Sequence, residues 1–228
     1  MAKLENIYII VPAFNESKVL EKNLRSLKKY FDNILVIDDG STDNTLEIVD
    51  RLGLASIHHP INLGQGAAIR SGFNFVKKLN DIYGVITFDA DGQHSSADAK
   101  NFANEILKSD KDIIFGSRFI NHSSNVPFIK KFILKIATYL SNVILQMNLS
   151  DTHNGLKAFK IDSLSKINIT VDRYAFETEL LMQISKQKIS YKELPTEIVY
   201  TPYSLRKGQS IRNGMIILES IIKLILKK

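Results

Sequence analysis

The chain has 228 residues, 44% hydrophobic and 24% charged, a composition that suits one packed core and argues against wholesale disorder. The absence of cysteine excludes disulfide scaffolds, thiolate zinc sites and cysteine nucleophiles, and it fits a reducing compartment. A net charge of +6, from 30 basic and 24 acidic residues, suits an anionic partner, but the dispersed basic residues argue against nucleic acid and for a phosphorylated substrate or an acidic membrane surface.

In chain order, YIIV (8–11) reads as a strand and the segment from Lys18 to Lys29 as a helix, with Ser17 as its cap. ILVID (34–38) is a second strand, TLEIVDRL (45–52) a helix, the stretch around Ile57 a short strand, and Gly66 to Lys78 a helix. GVITFD (84–89) is an apolar strand, followed by a helix over 96–107 and a strand at DIIFG (112–116). Alternating apolar strands and amphipathic helices predict a parallel sheet covered on both faces.

The second half is less regular. It holds a long helix over 128–147, a loop DTHNG (151–155), a strand at LKAF, a helix over 176–185, an extended stretch 189–200, a basic loop 201–210 and a terminal helix over 215–228. Lys130, Lys131 and Lys135 interrupt the first long apolar helix, and Glu219 and Lys223 the last, so both read as amphipathic rather than membrane-spanning. With no repeat or linker, a single domain over 1–228 is expected. The opening residues run straight into a strand without a separate leader, which predicts a cytoplasmic protein, peripheral on the inner membrane face if the amphipathic helices dock there.

Ligands of open α/β sheets sit beyond the carboxyl ends of the strands. Three polar clusters fall there: Pro12–Glu16 after the first strand, Asp38–Asp43 after the second, and Asp89–His94 after the fourth. Glu16, Asp38, Asp39, Asp43, Asp89 and Asp91 are expected to converge on one rim, where their repulsion calls for a cation. Magnesium typically takes one or two carboxylates plus substrate phosphates. Each cluster also reads as ordinary turn and capping residues. His58 and His59 read as structural, and Glu177 and Glu179 suit the first turn of a helix.

IIVPAFNE, VIDDGSTDNT, NLGQGAAIRSG, FDADGQH, FGSRF and DTHNGLKAF occur in the order found in family 2 inverting glycosyltransferases. The set most resembles the dolichyl- and polyprenyl-phosphate sugar synthase branch. The resemblance covers about residues 6–205 and implies a GT-A fold, in which a Rossmann-like, mostly parallel sheet is flanked by helices. A nucleotide-binding half would span about 1–118 and an acceptor half about 119–228. Carried over by position, Pro12, Phe14 and Glu16 would contact the nucleoside of a UDP- or GDP-sugar. Asp39 would bond its base or ribose, and Gln65 and Gly66 would line the base pocket. Asp89, Ala90 and Asp91 would meet the diphosphate, with Mg2+ or Mn2+ held by Asp89, Asp91 and Gln93. Arg118, Arg206 and Lys207 would meet phosphate, the last two from a closing loop. His94 reads either as a group supporting the metal ligands or as an ordinary loop histidine. Asp91, Asp151 and Arg118 are the candidate catalytic residues, Asp151 as the general base if the acceptor is a hydroxyl. The chain lacks the carboxy-terminal membrane helices of larger members, and it has Glu177 where some carry aspartate.

The expected activity is metal-dependent inverting sugar transfer to a polyprenyl phosphate at the membrane surface. The alternatives are transfer to a sugar hydroxyl of a cell-surface glycan precursor, or an inactive nucleotide-binding module. A nucleotidyltransferase would need a glycine- and basic-rich phosphate loop that Pro12–Glu16 does not supply.

Overall fold

Four strands lie parallel at one side of a seven-stranded sheet: β1 (Ile7–Ala13), β2 (Ile34–Asp38), β3 (Ala55–His58) and β4 (Gly84–Thr87). With β5 (Ile113–Ser117), β6 (Lys157–Lys160) and β7 (Tyr191–Pro195), the order across the sheet is β3-β2-β1-β4-β6-β5-β7. The computed structural model describes residues 3–120, 126, 128–173, 175–200 and 203. Arg206 and Lys207, and the helix expected over 215–228, lie outside the described residues.

The period-two alternation of the strands sorts the core into two layers. On one face, Ile7, Ile9 and Val11 pack with α1 (Leu20–Leu27), α2 (Thr45–Arg51) and α4 (Ser96–Lys108). On the other, Ile10, Leu35 and Ile37 pack with α3 (Gln65–Val76), α6 (Ile161–Ser165) and α7 (Phe176–Lys186). Both faces are therefore covered, which is why β2 and β4 are buried along their whole length.

The structure departs from the sequence reading in three places. β6 enters between β4 and β5 and runs antiparallel to both, a place the alternating rhythm does not predict; the sheet is mostly parallel, as the family resemblance implies. The five-residue α6 follows β6 at once and was not anticipated. Ser17 does not cap α1, because the helix begins after Val19; the Ser17 N–H donates to Asp43 Oδ2 at 3.1 Å.

α5 (Phe128–Leu145) buries Leu134, Ala137, Thr138, Ser141 and Leu145. Its Phe128, Ile129, Phe132, Ile136, Tyr139 and Val143 are exposed. No helix among the described residues is long and apolar enough to cross a membrane.

Candidate active site

The ends of β1, β2 and β4 open into a cavity of about 480 Å³. Its walls include Pro12, Phe14, Glu16, Asp39, Gln65, Asp89, Ala90, Asp91, Gln93 and Arg118. The sequence-predicted cluster is thus largely brought together, with exceptions that follow from hydrogen bonding.

The loop after β1 is tied to the loop after β2. Asn15 N–H donates to Ser41 Oγ at 2.8 Å, Thr42 N–H to Asn15 Oδ1 at 2.7 Å, and Glu16 N–H to Thr45 Oγ1 at 2.8 Å. Glu16 is buried, and its Oε2 accepts from the Tyr203 hydroxyl at 2.8 Å. Tyr203 falls in the stretch 201–210, where the sequence reading singles out only Arg206 and Lys207.

Asp38 and Asp43 do not line the cavity, contrary to expectation. Asp38 is fully buried against His58 Nδ1 at 2.7 Å, and Asp43 accepts from the backbone N–H groups of Ser17 and Thr45. Asp39 does line it, but its carboxylate already serves its own chain. It accepts from Leu63 N–H at 3.0 Å and Gly64 N–H at 2.7 Å, and pairs with His59 Nδ1 at 2.7 Å. His59 Nε2 is in turn 2.9 Å from Ser71 Oγ. Both histidines are structural, as read from the sequence.

Gly66 is not among the residues that line the cavity. A Cβ there would stand 2.1 Å from the Val171 carbonyl oxygen, so the close approach that glycine permits is to the loop before α7. Gln65 does line the cavity, and its Nε2 donates to Asp89 Oδ1 at 3.1 Å.

Asp89 sits at the centre of the site. His94 Nε2 lies 3.3 Å from its Oδ2. A Cβ on Gly155 would fall 2.0 Å from the same oxygen, so the carboxylate rests against a bare Cα. Burial alone would raise the Asp89 carboxyl; the His94 hydrogen bond and the charges of His94, Lys157 and Arg118 outweigh it and hold the group below its ordinary value. Asp91 goes the other way. Burial, and then the neighbouring Asp89 charge, push it up to about 6. Its Oδ1 accepts from a near backbone group, the Gln93 N–H at 3.0 Å.

This donor set fits a hard dication. Two half-buried carboxylates and the Gln93 side chain line one cavity, and Asp91 is hard to ionise because burial and the Asp89 charge outweigh the Gln93 N–H bond and the His94 charge. No cluster of three or more His, Cys, Asp or Glu side chains able to hold an ion occurs among the described residues. A cation at Asp89 and Asp91 would therefore complete its shell with ligand oxygens, the usual habit of magnesium beside phosphates.

Arg118 also lines the cavity, 5% exposed, and its charge reaches Asp89. Its Nε donates to Asp151 Oδ2 at 2.6 Å, its Nη1 to the Tyr200 hydroxyl at 3.2 Å and its Nη2 to His153 O at 2.6 Å. Asp151 is 1% exposed and does not line the cavity. Burial would raise its carboxyl, but the Arg118 charge and hydrogen bonds from Arg118 and His153 hold it well below the ordinary range. A carboxylate so paired is a weak base, so the structure makes Asp151 the support of Arg118 rather than a proton acceptor.

Behind Asp89, the buried Lys157 ammonium donates to Asn154 O at 2.5 Å and to Glu177 Oε1 at 2.9 Å. Glu177 is thus the partner of a buried cation and not merely a helix-start residue. Glu179 caps the preceding loop, accepting from Thr170 and Val171 N–H. Gly155, His153, Asn62, Arg173 and Ile198 also line the cavity and were not singled out. For His153 and Gly155 the signal was available, because both lie in the DTHNG motif.

A nucleotide-sized cleft at the carboxyl ends of a mostly parallel sheet, with an acidic centre and a cationic wall, defines a GT-A glycosyltransferase fold. The chain belongs to glycosyl transferase family 2, whose model matches residues 8–167, and it is a glycosyltransferase. An uncharacterized protein of Methanocaldococcus jannaschii is 35% identical over 98% of this chain and 93% of its own length. A UDP-N-acetylglucosamine--dolichyl-phosphate N-acetylglucosaminyltransferase of Methanococcus voltae is 30% identical over 96% of this chain and 95% of its own. Among solved structures, glucosyl-3-phosphoglycerate synthase from Mycobacterium tuberculosis, in complex with Mn2+, UDP and glucosyl-3-phosphoglycerate, superposes with a TM-score of 0.74. That match covers 97% of this chain and 78% of the other at 15% identity, a likeness of fold.

Proposed function

We propose that this glycosyltransferase moves a sugar from a UDP- or GDP-sugar to a polyprenyl phosphate at a membrane surface. The observation that carries this reading is the engagement of Asp151 by Arg118. A sugar hydroxyl needs a positioned general base, whereas a lipid phosphate is already anionic near neutral pH. The cavity wall offers a buried guanidinium where a hydroxyl acceptor would need a free carboxylate. The Methanococcus voltae relative, named for transfer to dolichyl phosphate, supports the same acceptor class.

In this reading Pro12, Phe14 and Glu16 hold the nucleoside, and Asp39 keeps the 59–64 loop in place beside it. Asp89, Asp91 and Gln93 would hold Mg2+ or Mn2+, which would offset the charge that builds on the departing diphosphate. An acceptor phosphate oxygen forms a bond to the anomeric carbon as the bond to the β-phosphate oxygen breaks. The electron pair leaves with the nucleoside diphosphate, and the configuration inverts. Arg118 faces the acceptor phosphate and orients it.

The membrane component rests on α5. Phe128, Phe132, Ile136, Tyr139 and Val143 recur at helical spacing on one exposed stripe, with Lys135 exposed beside it. Such a helix should bind anionic liposomes at low salt and release them as salt rises. Purified protein, labelled donor, Mn2+ and the two acceptor types, assayed side by side, test the whole reading. Transfer to polyprenyl phosphate is expected. Transfer only to a glycan hydroxyl would overturn it.

A further inference from the structure

His153 is 7% exposed and lines the cavity. Its Nδ1 lies 2.8 Å from Thr152 Oγ1, which lies 3.1 Å from Thr138 Oγ1 on the inner side of α5. One nitrogen of the ring is thereby fixed. The other, Nε2, is buried without a hydrogen-bond partner among the described residues. An unpaired buried polar atom is costly, and in a native site it commonly waits for a ligand.

The contacts already described order the cavity from end to end. Asp39 bonds Gly64, Gln65 bonds Asp89, Asp89 rests on Gly155, and His153 O accepts from Arg118. With the nucleoside at the Asp39 end and the diphosphate at Asp89, the next group along is the transferred sugar. Burial pushes the His153 ring down to about 4, so it is neutral in use. A neutral ring has one donor and one acceptor nitrogen, and a hydroxyl can satisfy either. An anionic phosphate is better matched by the neighbouring Arg118.

Resting on the nucleotide-sugar reading above, we infer that His153 is a specificity-determining residue whose Nε2 hydrogen-bonds a hydroxyl of the transferred sugar. The contact would belong to the sugar and not to the nucleotide. Sites built to bond a substrate hydroxyl reject analogues lacking it far more strongly than apolar pockets reject a missing methylene.

The test compares binding of UDP-glucose, UDP-N-acetylglucosamine and GDP-mannose with that of UDP and GDP, all with Mn2+, in the parent, His153→Gln and His153→Leu. For His153→Leu we expect a drop of roughly 5- to 10-fold in affinity for the preferred nucleotide sugar, the worth of one hydrogen bond. Affinity for the free diphosphate should stay within about 2-fold, because that part of the site is unchanged. His153→Gln, which keeps a neutral hydrogen-bonding group, should restore part of the loss and alter the ranking of the sugars. Equal losses for sugar nucleotide and diphosphate would make the residue structural and overturn the inference. So would an unchanged ranking in both variants, or a change confined to the KM for acceptor. No acceptor enters the binding arm, so an error about polyprenyl phosphate shows only in the transfer assay. A parent protein that binds no nucleotide sugar would overturn both readings.

Discussion

At the end of β2 the pair Asp38 and Asp39 meets His58 and His59 arriving beside it, whereas at the end of β4 Asp89 and Asp91 meet each other. The first arrangement follows from register: β2 and β3 run parallel with Asp38 opposite His58, so the next two residues also fall together. Each aspartate there gains an imidazole at 2.7 Å, and Asp39 gains two backbone N–H groups as well. On the other rim, His94 hydrogen-bonds Asp89 and reaches Asp91 only through its charge, too weakly to offset burial and the Asp89 charge, so Asp91 stays hard to ionise. Two strand ends of nearly the same composition thus differ in how far their charge is compensated by the chain. The first end builds the loop; the second, where Asp91 is raised, is the one that the proposed reading gives to a cation.

The sharpest way to break this contrast is to remove Asp91. In Asp91→Ala, nucleoside diphosphate binding should lose its dependence on Mg2+ or Mn2+, and turnover should fall by about 10³-fold, since cation-assisted charge stabilisation is worth several kcal/mol. The thermal midpoint should hold or rise slightly, because the variant deletes a half-buried carboxyl that its Asp89 neighbour repels. Calorimetric titration of UDP with Mn2+ and with chelator measures the first effect. Equal binding under both conditions in the parent would remove the cation from the account.

Gly155→Ala tests the same rim without touching a carboxylate. The new Cβ would fall 2.0 Å from Asp89 Oδ2, so the carboxylate must move. A misplacement of about 1 Å in a reacting site costs roughly 10²-fold in rate. We expect that loss together with weaker Mn2+-dependent binding of UDP. Restored binding at tenfold higher Mn2+ would show that the cation site is displaced rather than destroyed. Unchanged kinetics would mean that Asp89 is not held where the contact places it.

The sequence made the elements legible far better than the partners of its charged groups. β2 matches the reading residue for residue, and α3 and α4 match within two, because their periodicity is written locally. α6 escaped because five residues carry no period; the strand at LKAF was legible, but not its antiparallel place between β4 and β5, because a short run does not say which strands it will join. Ser17 fails as a cap because α1 begins only after Val19, too far along the chain for the Ser17 hydroxyl to stand at the cap position. Asp151 looked like a free base because its partner, Arg118, lies 33 residues away. The Asp-Asp and His-His pairs, 20 residues apart at the ends of successive parallel strands, were the one long-range partnership readable in principle. Strand register brings such pairs together without any help from tertiary packing.

Asp39→Asn should have the smallest effect on chemistry and so separates the two rims most cleanly. The amide keeps the shape but loses the charge, and it presents a donor where two N–H groups now point. Bonds to charged groups contribute about 1.5–3 kcal/mol, and Asp39 is nearly fully buried, so a net loss of about 2 kcal/mol of stability is expected. For a domain of this size that is roughly 4–8 °C in thermal midpoint. The 59–64 loop should loosen, read as faster amide exchange at Leu63 and Gly64, and UDP affinity should fall a few-fold through the altered wall. The ratio of UDP binding with Mn2+ to binding with chelator should stay at its parent value, because Asp39 compensates His59 and the loop and leaves the cation alone. If that ratio collapses as it does in Asp91→Ala, Asp39 shares the cation after all, and the division between a rim that builds and a rim that binds is wrong.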